Sequence, residues 1–78
     1  MRQQKQTFRI EFNASPDRVA DLIRLLDAAE QPGLSGVYAS NDFHLSAVVR
    51  RSPEGLHGLC AKLVAAGAKG VTAIASMV

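Results

Sequence analysis

Apolar and charged side chains alternate along Phe8, Arg9, Ile10, Glu11 and Phe12. A period of two puts both phenylalanines and Ile10 on one face and predicts a half-buried strand. The period then changes. Val19, Leu22, Ile23, Leu26 and Ala29 recur at helical spacing. Ser15-Pro16-Asp17 reads as the start of that helix, with Ser15 capping a free N–H, Pro16 in the first helical position and Asp17 favoured by the helix dipole. Pro32-Gly33 reads as its end. The pattern returns 37 residues later. Ser52-Pro53-Glu54 repeats the start, Leu56, Leu59, Cys60 and Leu63 repeat the apolar stripe, and Gly67 stops it. Between the helices, Leu34–Ala39 and the alternating Leu45, Ala47 and Val49 read as two strands joined by the turn Ser40-Asn41-Asp42. Val71–Val78, rich in small and β-branched residues, reads as a last strand.

The predicted order is β-α-β-β-α-β, two similar halves in one chain. This is the α+β order of a ferredoxin-like sandwich, with two helices on one face of a four-stranded antiparallel sheet. The chain has 78 residues, enough for one domain. Met1–Gln6 is polar and basic and reads as a flexible leader, leaving residues 7–78 as the folded unit.

Composition narrows the function classes. Hydrophobic residues make up 47% and charged residues 21%, as in ordinary globular domains. One cysteine excludes an internal disulfide framework and a multi-cysteine zinc site. No apolar run is long enough to span a membrane, and no apolar signal core follows the leader, so the cytoplasm is the expected compartment. The net charge is +2, and only Arg50 and Arg51 are adjacent cations. A nucleic-acid binder would show a clustered basic stripe, so no nucleic-acid partner is expected.

The fold alone does not name a function. An RNA-recognition domain would need base-stacking aromatics inside its central strands, and His44–Arg50 has none. A metallochaperone of this fold would need paired cysteines in the first loop, and Asn13-Ala14-Ser15 has none. An acylphosphatase would need a glycine-rich anion loop with an arginine after the first strand, which is also missing. His57 and Cys60 share a helix face but make only two metal ligands, and Cys60 lies on the apolar stripe. Asp42 and His44 flank the hairpin turn without a nucleophile beside them. Arg50 and Arg51 precede the second helix, where they could meet a carboxylate or phosphate. The residues point away from an enzyme and towards a regulatory or ligand-binding module that works by oligomerising. No cofactor is expected.

Pro32-Gly33-Leu34-Ser35, the strand Leu45–Val49 and the run Ala65-Ala66-Gly67-Ala68-Lys69-Gly70-Val71 together resemble the C-terminal regulatory domain of long-form ATP phosphoribosyltransferase, the enzyme that opens histidine biosynthesis. The resemblance extends from about Phe8 onward. It implies a ferredoxin-like domain without a catalytic role, which binds histidine as a feedback inhibitor between neighbouring subunits. Carried over by position, it implies ligand contacts at Leu34, at Tyr38 where the family has threonine, at Gly70, and at Asn13 in the neighbourhood where the family has an acid. The phosphoribosyl-binding catalytic domain has no counterpart in these residues, and Met1–Gln6 looks like a genuine start. The resemblance therefore implies a free-standing relative with an amino acid or similar metabolite as effector. The competing expectation is a protein-interaction module with no small ligand. Both expect a homo-oligomer, because Val71–Val78 carries no charge or proline to guard a sheet edge.

Overall fold

A computed structural model describes residues 5–37 and 41–76. The chain forms β1 (Gln6–Ala14), α1 (Val19–Ile23), a single 3-10 turn (Ala28–Glu30), β2 (Gly33–Val37), β3 (Asp42–Arg51), α2 (Pro53–Ala65) and β4 (Lys69–Ala75). The fold is α+β, with a four-stranded antiparallel open sheet and two helices. The strands lie in the order β2-β3-β1-β4. β1 and β3 pair without interruption from Gln6↔Arg51 to Ala14↔Phe43.

That register carries the predicted alternation through the sheet. Phe8, Ile10, Phe12 and Ala14 on β1 stand opposite Val49, Ala47, Leu45 and Phe43 on β3. All but the partly buried Phe43 are buried, and they form one core with Leu22, Leu26, Leu59, Leu63 and Ala68. Burying one such large apolar side chain stabilises the fold by roughly 1.5–3 kcal/mol. The residues between them, Arg9, Glu11 and Asn13 on β1 and His44, Ser46 and Val48 on β3, occupy the opposite face.

α2 starts and stops as its sequence dictates. Ser52 Oγ accepts the Gly55 N–H at 3.1 Å and Pro53 takes the first helical position. At the other end, Gly67 adopts φ +108°. Its N–H reaches the Val64 carbonyl at 3.1 Å, and the Ala68 N–H reaches the Leu63 carbonyl at 2.9 Å. This pair of bonds is the Schellman closure, with Ala68 buried against Leu63.

The first helical segment departs from expectation. α1 spans only Val19–Ile23, and Arg18 rather than Ser15 is its N-cap. The Ser15 hydroxyl donates to Asp17 Oδ1 at 2.6 Å, so the side chain expected to cap the helix serves its neighbour's carboxylate instead. The Arg18 N–H closes a turn on the Ser15 carbonyl. After Ile23 the apolar spacing continues to buried Leu26, but the backbone goes through turns and the 3-10 segment. Asp27 and Glu30 explain the interruption. The Asp27 N–H donates to Glu30 Oε1 at 3.1 Å, and the Glu30 N–H donates to the Asp27 carbonyl at 2.9 Å, which starts a new short turn where a continuous helix would have run. The two halves thus share an apolar pattern but not a helix length.

Leu63 is fully buried and Leu26 nearly so. Leu63→Ala or Leu26→Ala should cost about 2–5 kcal/mol, the range for emptying a packed leucine site. Thermal unfolding will show either variant near the limit of stability, and an unchanged melting temperature would contradict this packing. Gly58 gives the opposite test. A methyl group there would meet nothing within 4 Å. Gly58→Ala should therefore stabilise the protein by about 1 kcal/mol, through helix propensity alone, and raise the melting temperature.

Candidate functional site

The helix-free face of the sheet carries a chain of polar contacts. Arg9 Nε donates to Ser46 Oγ at 3.4 Å, and Arg9 Nη2 lies 3.6 Å from Glu11 Oε1. The same Glu11 oxygen lies 3.2 Å from His44 Nε2. His44 Nδ1 in turn lies 2.9 Å from Asn13 Oδ1. These contacts follow from the register, since Glu11 pairs with Ser46 and Asn13 with His44. Which His44 ring nitrogen donates and which accepts depends on the tautomer. If the Asn13 amide turns over, a neutral ring can accept from its NH2 while donating to Glu11.

A second ion pair completes the corner. Lys69 Nζ donates to Asp42 Oδ2 at 3.3 Å, and Asp42 is a buried polar residue. Lys69 lies on β4 and Asp42 on β3, with β1 between them, so the pair crosses the end of β1. Lys69 is also the register partner of Asn13, beyond a bulge that shifts the β1–β4 pairing between Glu11 and Asn13. Gly70 follows at φ +60°, a conformation that costs other residues energy. A methyl group on Gly70 would sit 3.8 Å from Asn13 Nδ2.

Of the four residues implied as ligand contacts, Asn13 and Gly70 therefore lie side by side. Leu34 lies elsewhere. It pairs with Leu45 and so belongs to the helix-side face, on the opposite outer strand, where it is 51% exposed. Tyr38 lies outside the described residues. Asp42 and His44, considered above as a pair, instead take separate partners, Lys69 on one side and Glu11 with Asn13 on the other. Glu11 and Lys69 were not singled out from sequence. Their signal was available in the alternation that puts Glu11 two residues before Asn13, but Lys69 follows a helix and only the bulge brings it to Asn13.

Arg51, considered above as an anion contact, is committed to an internal partner. Its Nη1 donates to Glu30 Oε2 at 2.6 Å and its Nη2 to Glu30 Oε1 at 2.8 Å. This two-point hydrogen bond is the main reason the Glu30 carboxyl is held down at about 2, against the effect of its burial. The same bond raises Arg51. Cys60 is partly buried, which pushes its thiol up and keeps it a packing residue. His57 is exposed, and among the described residues no group of three or more His, Cys, Asp or Glu is arranged to hold a metal ion. Among the described residues, no helix is long and apolar enough to cross a membrane.

Compared with known proteins, the chain matches no family model, no curated protein and no solved structure.

The Glu30–Arg51 pair fixes a pH dependence. Folding lowers the Glu30 carboxyl from 4.5 to about 2, so the native state favours the ionised form. The resulting stability is complete above the free value and drains away as the pH falls towards the folded one. Urea midpoints across this window will compare wild type with Glu30→Gln. The two should differ most near neutral pH and converge towards pH ~2. A gap that stays constant over the acid range would contradict the ion pair.

Proposed function

We propose that this chain is a ferredoxin-like, non-catalytic regulatory domain that binds an amino acid or similar zwitterionic metabolite at the corner formed by Asn13, Asp42, His44, Lys69 and Gly70, next to a subunit interface. The strand order β2-β3-β1-β4 with both helices contributing to one core supports the fold assignment. The observation that carries the ligand assignment is the mixed charge of the corner. Lys69 offers an ammonium to a carboxylate, while Asp42 and Glu11 offer carboxylates to an α-amino group. Asn13 and His44 offer both donors and acceptors between them. The likeness to the histidine-binding domain of ATP phosphoribosyltransferase, carried by Pro32–Ser35, Leu45–Val49 and Ala65–Val71, points to the same class of ligand.

The amino acids, histidine among them, will be screened by thermal shift at millimolar concentration. One that binds the native state selectively must raise the melting temperature. Asp42→Asn and Lys69→Gln should each abolish the rise, since each removes one half of the charge match. A rise that survives both substitutions would put the ligand elsewhere, and no rise with any amino acid would overturn the reading.

The interface half of the reading rests on β4. It is an outermost strand, and every residue in it except Val71 is exposed. Ile74 is 60% exposed and Val48 58%, in line across Arg9 on the helix-free face. Such an edge invites a further strand, and a second chain along β4 would close the open side of the corner at Lys69. Light scattering should report a dimer in wild type and a monomer in Ile74→Lys. A wild-type monomer would remove the interface. The same edge favours the second reading, a protein-interaction module, which predicts assembly without any amino-acid response.

A further inference from the structure

The helical side of the molecule holds a groove that the reading above does not use. It has a volume of about 470 Å³ and is lined by Arg24, Leu25, Arg51, Gly55, Gly58, Leu59 and Lys62. Sites for small organic ligands fall in this size range. The lining contains three cations and no acid. Arg51 is neutralised by Glu30. Arg24 lies 3.7 Å from Asp21 across solvent, a weak contact between two exposed side chains. Lys62 is exposed and makes no ion pair among those formed by the described residues. The groove therefore keeps an excess of positive charge above a floor of two leucines.

Gly58 is the second observation. Gly55, Gly58, Leu59 and Lys62 follow the spacing of a single stripe along α2. Gly55 has a structural reason to be glycine, because a methyl group there would press on Ser52 Oγ at 3.2 Å. Gly58 has none. It lies in the helix interior, where glycine is unfavourable, and a side chain would meet open space. What a side chain at Gly58 would take up is the groove.

We propose that this interhelical groove is a second ligand site, for an organic phosphate: an apolar or aromatic body resting on Leu25 and Leu59 through the gap at Gly58, with its phosphate held by Arg24 and Lys62. A phosphate suits two cations on separate elements better than a carboxylate does, since it presents oxygens in more directions and carries more charge. The site is independent of the amino-acid corner, which lies on the opposite face of the sheet.

The probe is 1-naphthyl phosphate, followed by backbone amide NMR of the full chain, with 1-naphthol and inorganic phosphate as separate controls. Saturable shifts are expected at Gly58, Leu59 and Lys62 with the aryl phosphate, and weaker affinity with either half alone. Lys62→Gln and Arg24→Gln, both exposed, should each weaken binding by about tenfold or more, the loss of one charge-assisted bond. Gly58→Leu should block binding while the rest of the spectrum stays native. Gly58→Ala, which stabilises the helix, provides the folded control and should bind more weakly than wild type. Shifts that do not saturate at millimolar probe, or an affinity unchanged by Lys62→Gln and Arg24→Gln together, would overturn the proposal. Shifts confined to Asn13, His44 and Gly70 would overturn it as well, and would assign the anion to the other face.

Discussion

The pairing of β1 with β3 is the constraint on which the other features depend. Nine consecutive residue pairs, Gln6↔Arg51 to Ala14↔Phe43, hold one register. Slipping it by one residue would turn Phe8, Ile10 and Phe12 to solvent and drive Arg9, Glu11 and Asn13 into the core. The burial difference between the two faces fixes the register, and the register then decides which polar groups meet. His44 reaches Glu11 and Asn13 because Phe12 and Leu45 must face the helices. The polar corner is thus a by-product of core packing.

Glu30 plays a second organising part. Its carboxylate takes Arg51 at two points and the Asp27 amide besides. The irregular stretch after α1 has no continuous helix to hold it, and this cluster ties it to the end of β3. A surface ion pair of ordinary exposure contributes little. This one is two-pointed and largely covered, with Glu30's side chain 11% exposed, so it positions the backbone as well as attracting charge.

The sequence made the element order legible because its apolar periods are clean. β1, β3 and α2 appear where alternation or helical spacing announces them, and the α2 cap and the Gly67 closure follow local chemistry. The first helix was misjudged for a physical reason. Its apolar spacing continues through Leu26, but Ser15 spends its hydroxyl on Asp17, and Asp27 with Glu30 starts a separate turn. A pattern of apolar positions reports which side is buried, not whether the backbone hydrogen bonds run on. The site was only half legible. Asn13 and Gly70 meet through a β-bulge, and bulges leave no periodic trace. The pairings Asp42–Lys69 and Glu30–Arg51 join residues separated by 27 and 21 positions, and nothing in a local window links them.

The strand order also carries a consequence for how the molecule assembles. Among the paired strands, only β2 and β3 are close neighbours in sequence, and Asn41, just before β3, takes φ +59°. The β1–β3 and β1–β4 pairings close longer loops, at greater entropic cost. β4 is outermost and largely exposed, so its pairing with β1 is most of what holds it once docked. The corner proposed above for an amino acid draws Lys69 and Gly70 from that strand together with residues of β1 and β3. A ligand there would select the fully docked sheet over copies of the chain in which the last strand has frayed, and its occupancy would be read out along the whole exposed length of β4.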